Sequence, residues 1–404
     1  MTDAPSSRGI IAGGGEERIN AKFGGTAAEY FRIWLVNTLL TIITLGFYSP
    51  WAKVRNKRYF YGCTWIGGAN FEYHAKPLAI LVARLVLLAV FAIGAIWSGE
   101  DIVRDAYYSL VLLIFLPWAI VRGLSFNARN SSWSGIRFSF TRDYAPIYLI
   151  YLPFLMLSGV GGYLQVVAGR LPEVEEDAQI PDEVMAFFWL AGILVLCFLL
   201  LMAFSPFLVR AYHRYKAGRH KLGNLQFYLH KPPVSGYYGA TMLPYFVVPL
   251  FSALTAGLMI LIAGGLFADD MEKAREIGAV VFGGVMVLSY LVVVWITQAM
   301  LFRLFWDNLR ARNDKFEARF VCDVDIWHFA FHILLVNTLA TILSLGFLYP
   351  WAKVRKTKYL VLHIHIIAPA GALASLTARK GEEESAFGEE LDVAEGFDFD
   401  VGLI

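Results

Sequence analysis

Charge is what this sequence has least of: Asp, Glu, Lys and Arg make up 17% of its 404 residues, against about 25% in an ordinary soluble domain. Too little polar surface is available to coat a soluble globule of this length. The 57% of residues that are hydrophobic exclude a disordered chain for the opposite reason. Cysteine is scarce as well. Cys63, Cys197 and Cys322 lie far apart and form no CxxC pair, which argues against a disulfide framework or a zinc site. The N-terminus has no seven-residue apolar core behind a basic start, so a cleaved secretory signal is not expected. No Walker glycine loop, GxSxG elbow or HExxH helix occurs, and neither an enzymatic activity nor a cofactor is expected. The net charge of +2 gives no reason to expect a nucleic-acid partner.

Long uncharged runs are what the sequence does have. Residues 146–167, 184–209, 237–268 and 277–302 contain no Asp, Glu, Lys or Arg, and each reaches the roughly 20 residues needed to cross a bilayer. Residues 77–97, interrupted by Arg84 alone, and the shorter 106–121 read as two more spans. Two weaker segments, 30–48 and 326–348, complete a set of eight.

Orientation follows from the connections. The stretches 50–76, 122–145, 210–239 and 303–325 hold 20 of the 24 Lys and Arg in the internal loops, which places them in the cytoplasm. The alternate connections carry Glu173, Glu175, Glu176, Asp177, Asp269, Asp270 and Glu272 and belong outside. In a background lacking the native cysteines, a cysteine at Asn130 is therefore expected to resist an impermeant thiol reagent in intact cells, and one at Glu175 to react. The opposite labelling pattern would reverse the orientation.

The chain also repeats itself. Residues 35–55 and 335–355 align without gaps, with 16 of 21 positions identical. Fainter echoes lie between them: Pro50-Trp51, Pro117-Trp118 and Pro206-Phe207 each end an apolar run and open a basic loop, consistent with Trp anchored at the interface and Pro ending a helix. At a constant distance beyond these prolines stand Gly67-Gly68, Ser134-Gly135 and Gly223-Asn224, then Phe71, Phe138 and Phe227. Such dipeptides suit two-residue hairpin turns. Asn313-Asp314, before Phe316 and Phe320, reads as a degenerate fourth copy. An isolated hairpin is marginal in water, so pairing across units is expected. The expected fold is mainly α: a polytopic helical membrane protein built from about five internal repeats, with short cytoplasmic β-hairpins. Residues 1–22 read as a flexible leader, 23–368 as the repeat-built membrane domain, and 369–404 as an acidic, disordered tail.

The run FGGTAAEYFRIWLVNTLLTIITLGFYSPWAKVRNKRYFYGCTWIGGANFEYHAKP, with its C-terminal echo, resembles the YjgN-like family of bacterial inner-membrane proteins, a domain of unknown function. The resemblance covers about residues 20–368. It implies compartment and architecture, and carries no catalytic residues with it.

A parity conflict follows from the two copies. If 30–48 crosses once, Lys53, Arg55, Lys57 and Arg58 are cytoplasmic, yet a single crossing by 326–348 puts Lys353, Arg355, Lys356 and Lys358 outside. Either the copies face opposite ways, or both segments are re-entrant. Asn37, Thr38, Thr41, Thr44 and Gly46, matched by Asn337, Thr338, Thr341, Ser344 and Gly346, are polar or small enough to turn a chain at membrane depth. Of the two arrangements, eight full crossings is preferred.

Two candidate sites emerge. Asn37, Thr38, Thr41, Arg84, Asn337, Thr338 and Thr341 could converge on a polar membrane site, the basis for expecting transport or channel activity. Helix–helix hydrogen bonding by the two asparagines, and snorkelling by Arg84, are the plainer readings. Lys53, Arg55, Lys57, Arg58, Lys353, Arg355, Lys356 and Lys358, interleaved with aromatics, suit anionic lipid headgroups, the basis for the alternative of a lipid-binding protein or scaffold. His328 with His332, and His363 with His365, have spacings that can hold a metal, but no glutamate completes a known motif and no metal is assigned. The tail holds nine Asp and Glu between 381 and 404 and ends in alternating apolar residues, so it could dock on a basic loop.

Overall fold

The computed structural model describes residues 10–12, 15–98, 102–171, 181–266 and 271–376. Glu175 and the tail from 377 onward, with its expected docking, lie outside the described residues.

Strands and helices alternate along the chain. Strands β1 (Ile10–Ala12), β2 (Glu16–Asn20) and β3 (Lys22–Phe23) lead into helices α1 (Ala27–Ile43) and α2 (Ser49–Gly62). The hairpin β4 (Thr64–Ile66) and β5 (Ala69–Tyr73) precedes α3 (Pro77–Ser98) and α4 (Ile102–Arg129); β6 (Ser131–Trp133) and β7 (Ile136–Phe140) precede α5 (Tyr144–Ala168) and α6 (Asp182–Arg219). Next come β8 (His220–Leu222), β9 (Leu225–Leu229), α7 (Val234–Leu266) and α8 (Met271–Asn308), then β10 (Leu309–Arg312) and β11 (Glu317–Cys322). A π-helical stretch, His328–Leu335, continues into α9 (Val336–Leu343); α10 (Tyr349–Leu362), β12 (Ile364–Pro369) and a 3₁₀ turn at Leu373–Ser375 follow.

The hairpins pair across units, as the sequence leads one to expect, and close into one barrel, which it does not. Each strand from β3 to β12 pairs antiparallel with its successor. The ring is completed by residues 16–23, in which β2 pairs with β12 while β3 pairs with β4. Closure removes the exposed edges that separate hairpins would present. The leader expected over 1–22 is corrected accordingly: its second half is the closing strand. Its sequence alternates as a half-buried strand should, with Ile19, Ala21 and Phe23 packed in apolar clusters and Arg18 and Asn20 on polar partners, Asp323 and His365.

Turn chemistry makes these tight hairpins possible. Gly67 and Gly68 (φ 58° and 87°) and Ser134 and Gly135 (51° and 76°) have the positive φ pairs of type I′ turns, whose twist matches the flanking strands. Inside, the phenylalanines that recur in the sequence stack side by side: Phe71 on Phe138 at 6.3 Å, Phe138 on Phe227 at 6.4 Å, and Phe227 against Phe320 at 6.3 Å. The first part of the supposed disordered tail belongs to the same core. Ala372 and Leu376 are buried with the barrel residues, and Leu373 packs against them. Leu373 lies so near the first turn that a Cβ on Gly67 would come within 2.5 Å of its Cδ1.

Every helical pair leaves the barrel and returns to it. Among the described residues, five helices are long and apolar enough to cross a membrane: Pro77–Trp97, Tyr107–Arg129, Tyr144–Ala168, Asp182–Arg219 and Gly278–Asn308. Helix α7, of 33 residues, packs along α8. Helices α4 and α6 run on through Pro117 and Pro206, both fully buried, so these prolines do not end their helices as expected.

The two terminal copies share one arrangement relative to the barrel. Strands β3 and β4 are neighbours in the barrel, as are β11 and β12, so whatever lies between must go out and come back. Helix α1 has 17 residues, about 26 Å, and the continuous helix His328–Leu343 is about 24 Å long, both shorter than about 30 Å of hydrocarbon. Segments 30–48 and 326–348 are the ascending limbs of two short helical hairpins that return to the barrel.

Candidate functional site

The two terminal helical hairpins turn by the same local chemistry in both copies. Gly46 N–H donates to Thr41 O (2.7 Å) and Leu45 N–H to Ile42 O (3.0 Å); Gly346 and Leu345 repeat this on Thr341 and Ile342 (2.8 and 3.0 Å). This is the Schellman pattern, which satisfies the last carbonyls of a helix. Thr44 and Ser344 then accept the N–H of Tyr48 and Leu348 (3.0 and 2.9 Å), so polar backbone at the apex keeps its partners. The left-handed position is held by Leu45 and Leu345 (φ 49° and 52°) where glycine would be less strained. Their side chains are 91% and 90% exposed, an apolar tip suited to hydrocarbon.

Behind each tip a buried asparagine ties the two limbs together. Asn37 Nδ2 donates to Asn56 Oδ1 at 3.0 Å. Asn337 Nδ2 donates to the Ala352 carbonyl at 2.9 Å, and Asn337 Oδ1 accepts from Arg355 at 3.3 Å. Thr41 and Thr341 each donate to the asparagine carbonyl one turn back (2.7 Å), and Thr38 is half-buried in the same limb as Asn37. Arg84 donates to Ser49 Oγ and so fastens α3 to the start of α2. The two asparagines thus bond within their own hairpins, and Arg84 bonds to α2.

The basic residues separate into different tasks. Arg58 donates to the carbonyls of Tyr73 and Ala75 (3.2 and 3.3 Å), holding the end of β5. Lys57 donates to Asn127 (2.8 Å) and lies over the Tyr73 ring (5.1 Å). Lys53 is half-buried, and Arg55 and Lys358 are exposed. Lys353 lies over Phe60 (5.1 Å) and Tyr30 (5.7 Å), joining the two terminal hairpins by cation–π contact. Arg355 stacks over Trp351 at 5.1 Å.

One place does gather members of both candidate sets. Between α9, α10 and Phe302 of α8 lies a cleft of about 520 Å³, lined by Asn337, Thr338, Thr341, Lys353, Lys356 and Thr357 among apolar neighbours. No Asp or Glu is among its described lining residues. Thr357 was missed in the sequence because the matching position in the first copy is Lys57, which drew attention to charge.

The histidine pairs are engaged with aromatic and polar neighbours. His328 and His332 stack at 4.8 Å, and His328 also meets Tyr359 at 5.3 Å. His363 pairs with the Tyr359 carbonyl (2.7 Å), and His365 with Asn20 (2.9 Å) and Asp323 (3.2 Å). Burial pushes the His365 imidazole down, with Arg18 adding to the effect. At the root of β8, burial holds His220 at about 4, and its Nδ1 pairs with the Lys216 carbonyl (2.7 Å).

Comparison with known proteins agrees with this membrane architecture. The chain is 25% identical to an inner membrane protein YjgN of Salmonella typhimurium over 384 residues, 90% of this chain and 92% of that protein. It is 35% identical to the inner membrane protein YjgN of Escherichia coli K12 over 153 residues, a stretch spanning 37% of this chain and 38% of that relative. No solved structure matches. A family model for bacterial proteins of unknown function, DUF898, matches residues 18–394. With that match running from the closing strand to beyond the last described residue, the chain belongs to the DUF898 family, and it is an inner-membrane protein.

Proposed function

We infer that this protein binds anionic phospholipid at the inner membrane, with the headgroup held in the cleft of the C-terminal helical hairpin. The observation that carries this reading is the convergence of Lys356, Thr338, Thr341 and Thr357 in one cleft whose described lining has no carboxylate. Depth supports it. Lys356 stands eight residues below the apex residue Leu348, about 12 Å along α10, close to half of the ~30 Å hydrocarbon thickness. An apolar tip in the acyl layer therefore leaves the lysine at phosphate level, with hydroxyls and an ammonium to bind it. The transport expectation rested on polar residues meeting at the repeat interface. Asn37 and Asn337 instead make bonds within their own hairpins, which favours holding a lipid over conducting a solute.

The test is lipid retention. Purified protein in nanodiscs of mixed phosphatidylglycerol and phosphatidylcholine is expected to retain phosphatidylglycerol selectively, read by native mass spectrometry. Lys356→Glu should weaken that retention by about fivefold or more, since each basic residue is worth roughly 1 kcal/mol to an anionic headgroup. Lys358→Glu, exposed on the same helix, should change it little. Equal losses in the two variants would sink the assignment to the cleft.

A further inference from the structure

The barrel encloses a second space, separate from the cleft. Its volume is about 300 Å³, at the lower end for pockets that hold small ligands. The phenylalanine ladder forms the wall, and Leu373 and Leu376 line the space on the side of the 3₁₀ turn. Barrels of about eight strands hold side chains or one small ligand, and a ten-membered ring is wider. At the end where helices join strands, the C-terminal half of α2 contributes Lys57 and the last turn of α6 contributes Lys216 to the lining. No Asp or Glu is among the described lining residues. Trp306 also lines the space, and its Nε1 is buried with no hydrogen-bond partner among the described residues.

We propose that the barrel interior binds a single-chain anionic amphiphile, its acyl chain among the phenylalanines and its head beside Lys57 and Lys216. Apolar walls select a hydrocarbon chain by the area they remove from water. Two ammonium groups in an otherwise largely apolar described lining offer a negative head charge-assisted hydrogen bonds, about twice as strong as neutral ones. The indole N–H supplies a donor for a head oxygen. A volume this small admits one chain and excludes a two-chain phospholipid. The lysines sit on helices that continue toward the bilayer, so the ligand enters from the membrane side. Its head is a carboxylate, as in a fatty acid, or a phosphodiester, as in a lysophospholipid.

The barrel carries its own reporters. Trp133 and Trp306 line the chamber, so 9,10-dibromostearate bound there quenches them by contact. Full-length protein in neutral phosphatidylcholine nanodiscs is expected to show saturable quenching by that probe, and Trp133→Phe/Trp306→Phe should abolish the saturable part. Lys57→Gln/Lys216→Gln should weaken the dibromostearate dissociation constant by about tenfold while changing that of the brominated alcohol less than about twofold. Ala311→Phe, which adds bulk at a fully buried lining position, should block both probes. Competition by oleate or by lysophosphatidylglycerol identifies the head, and either supports the proposal. Quenching that rises linearly without saturation, or a dissociation constant unchanged in both the lysine and the Ala311 variants, overturns it. Because these nanodiscs contain no anionic phospholipid and Lys356 is untouched, failure here is distinct from failure at the cleft.

Discussion

Ile19→Pro is expected to abolish the folded barrel while leaving every membrane helix with its native sequence. Ala21 N–H donates to Ile364 O at 3.4 Å, and Ile19, two residues earlier, stands opposite Ile366 in the same phase of the antiparallel ladder. Proline there removes the N–H and places a rigid ring in a strand paired to β12. The substitution also takes an apolar side chain away from the barrel core, against which Ile19 packs. The two losses together come to about 3 kcal/mol or more, a large share of the ~5–15 kcal/mol that holds a typical domain folded. Two controls isolate the cause. Ile19→Val should cost no more than about 1.5 kcal/mol. Arg18→Ala removes a solvent-exposed ion pair with Asp323, whose side chains are 40% and 51% exposed, and should cost less than about 1 kcal/mol. Thermal unfolding in detergent, followed by size-exclusion chromatography, measures all three. A proline variant that melts with the wild type would mean that residues 16–23 do not close the ring.

That prediction turns on a strand the sequence could have revealed and did not. The stretch Glu16–Phe23 alternates outward Arg18 and Asn20 with inward Ile19, Ala21 and Phe23, but eight residues of alternation beside a glycine-rich start are easily read as leader. Membrane helices were plain because a span needs about 20 apolar residues and few charges, a signal that little else imitates. Hairpin turns were plain for a related reason: Gly67-Gly68 and Ser134-Gly135 satisfy a positive φ requirement that few dipeptides meet. Closure of the hairpins into a barrel left no such mark. It depends on pairings between residues hundreds of positions apart, such as Ile19 with Ile366. The constant interval that carried Phe71, Phe138 and Phe227 was the one trace of it, since residues at one level of a barrel wall recur at one place in each unit. The return of the terminal hairpins to the barrel was hidden by parity. Positive-inside counting fixes the side of a basic loop, but it cannot tell a limb that crosses from one that returns, and the answer lay in the neighbours β3–β4 and β11–β12.

Near-identical copies also need not carry equal energies, and the two asparagines show why. Asn337→Leu is expected to destabilise the protein by about 2–4 kcal/mol, and Asn37→Leu by about 1 kcal/mol or less. The difference starts one helix away. Position 56 is Asn, whereas its counterpart 356 is Lys, so the amide of Asn37 meets a side chain and the amide of Asn337 meets the Ala352 carbonyl. Leucine at 337 leaves that carbonyl without its side-chain donor and removes the acceptor that Arg355 uses at 3.3 Å. Asn337 is buried, so no bulk water replaces either partner, and the guanidinium loses a charge-assisted bond, about twice as strong as a neutral one. Leucine at 37 breaks one bond to Asn56, a half-buried residue. It also removes Asn37 Oδ1, a buried acceptor that has no partner among the described residues, and relief of that unsatisfied group offsets part of the loss. Melting temperatures in the same detergent, with Asn337→Asp as a variant that keeps the acceptor for Arg355, give the comparison directly. The expected order is Asn37→Leu mildest and Asn337→Leu most severe, with Asn337→Asp between them. Equal shifts for the two leucine variants would mean that Arg355 and the Ala352 carbonyl draw no stability from Asn337.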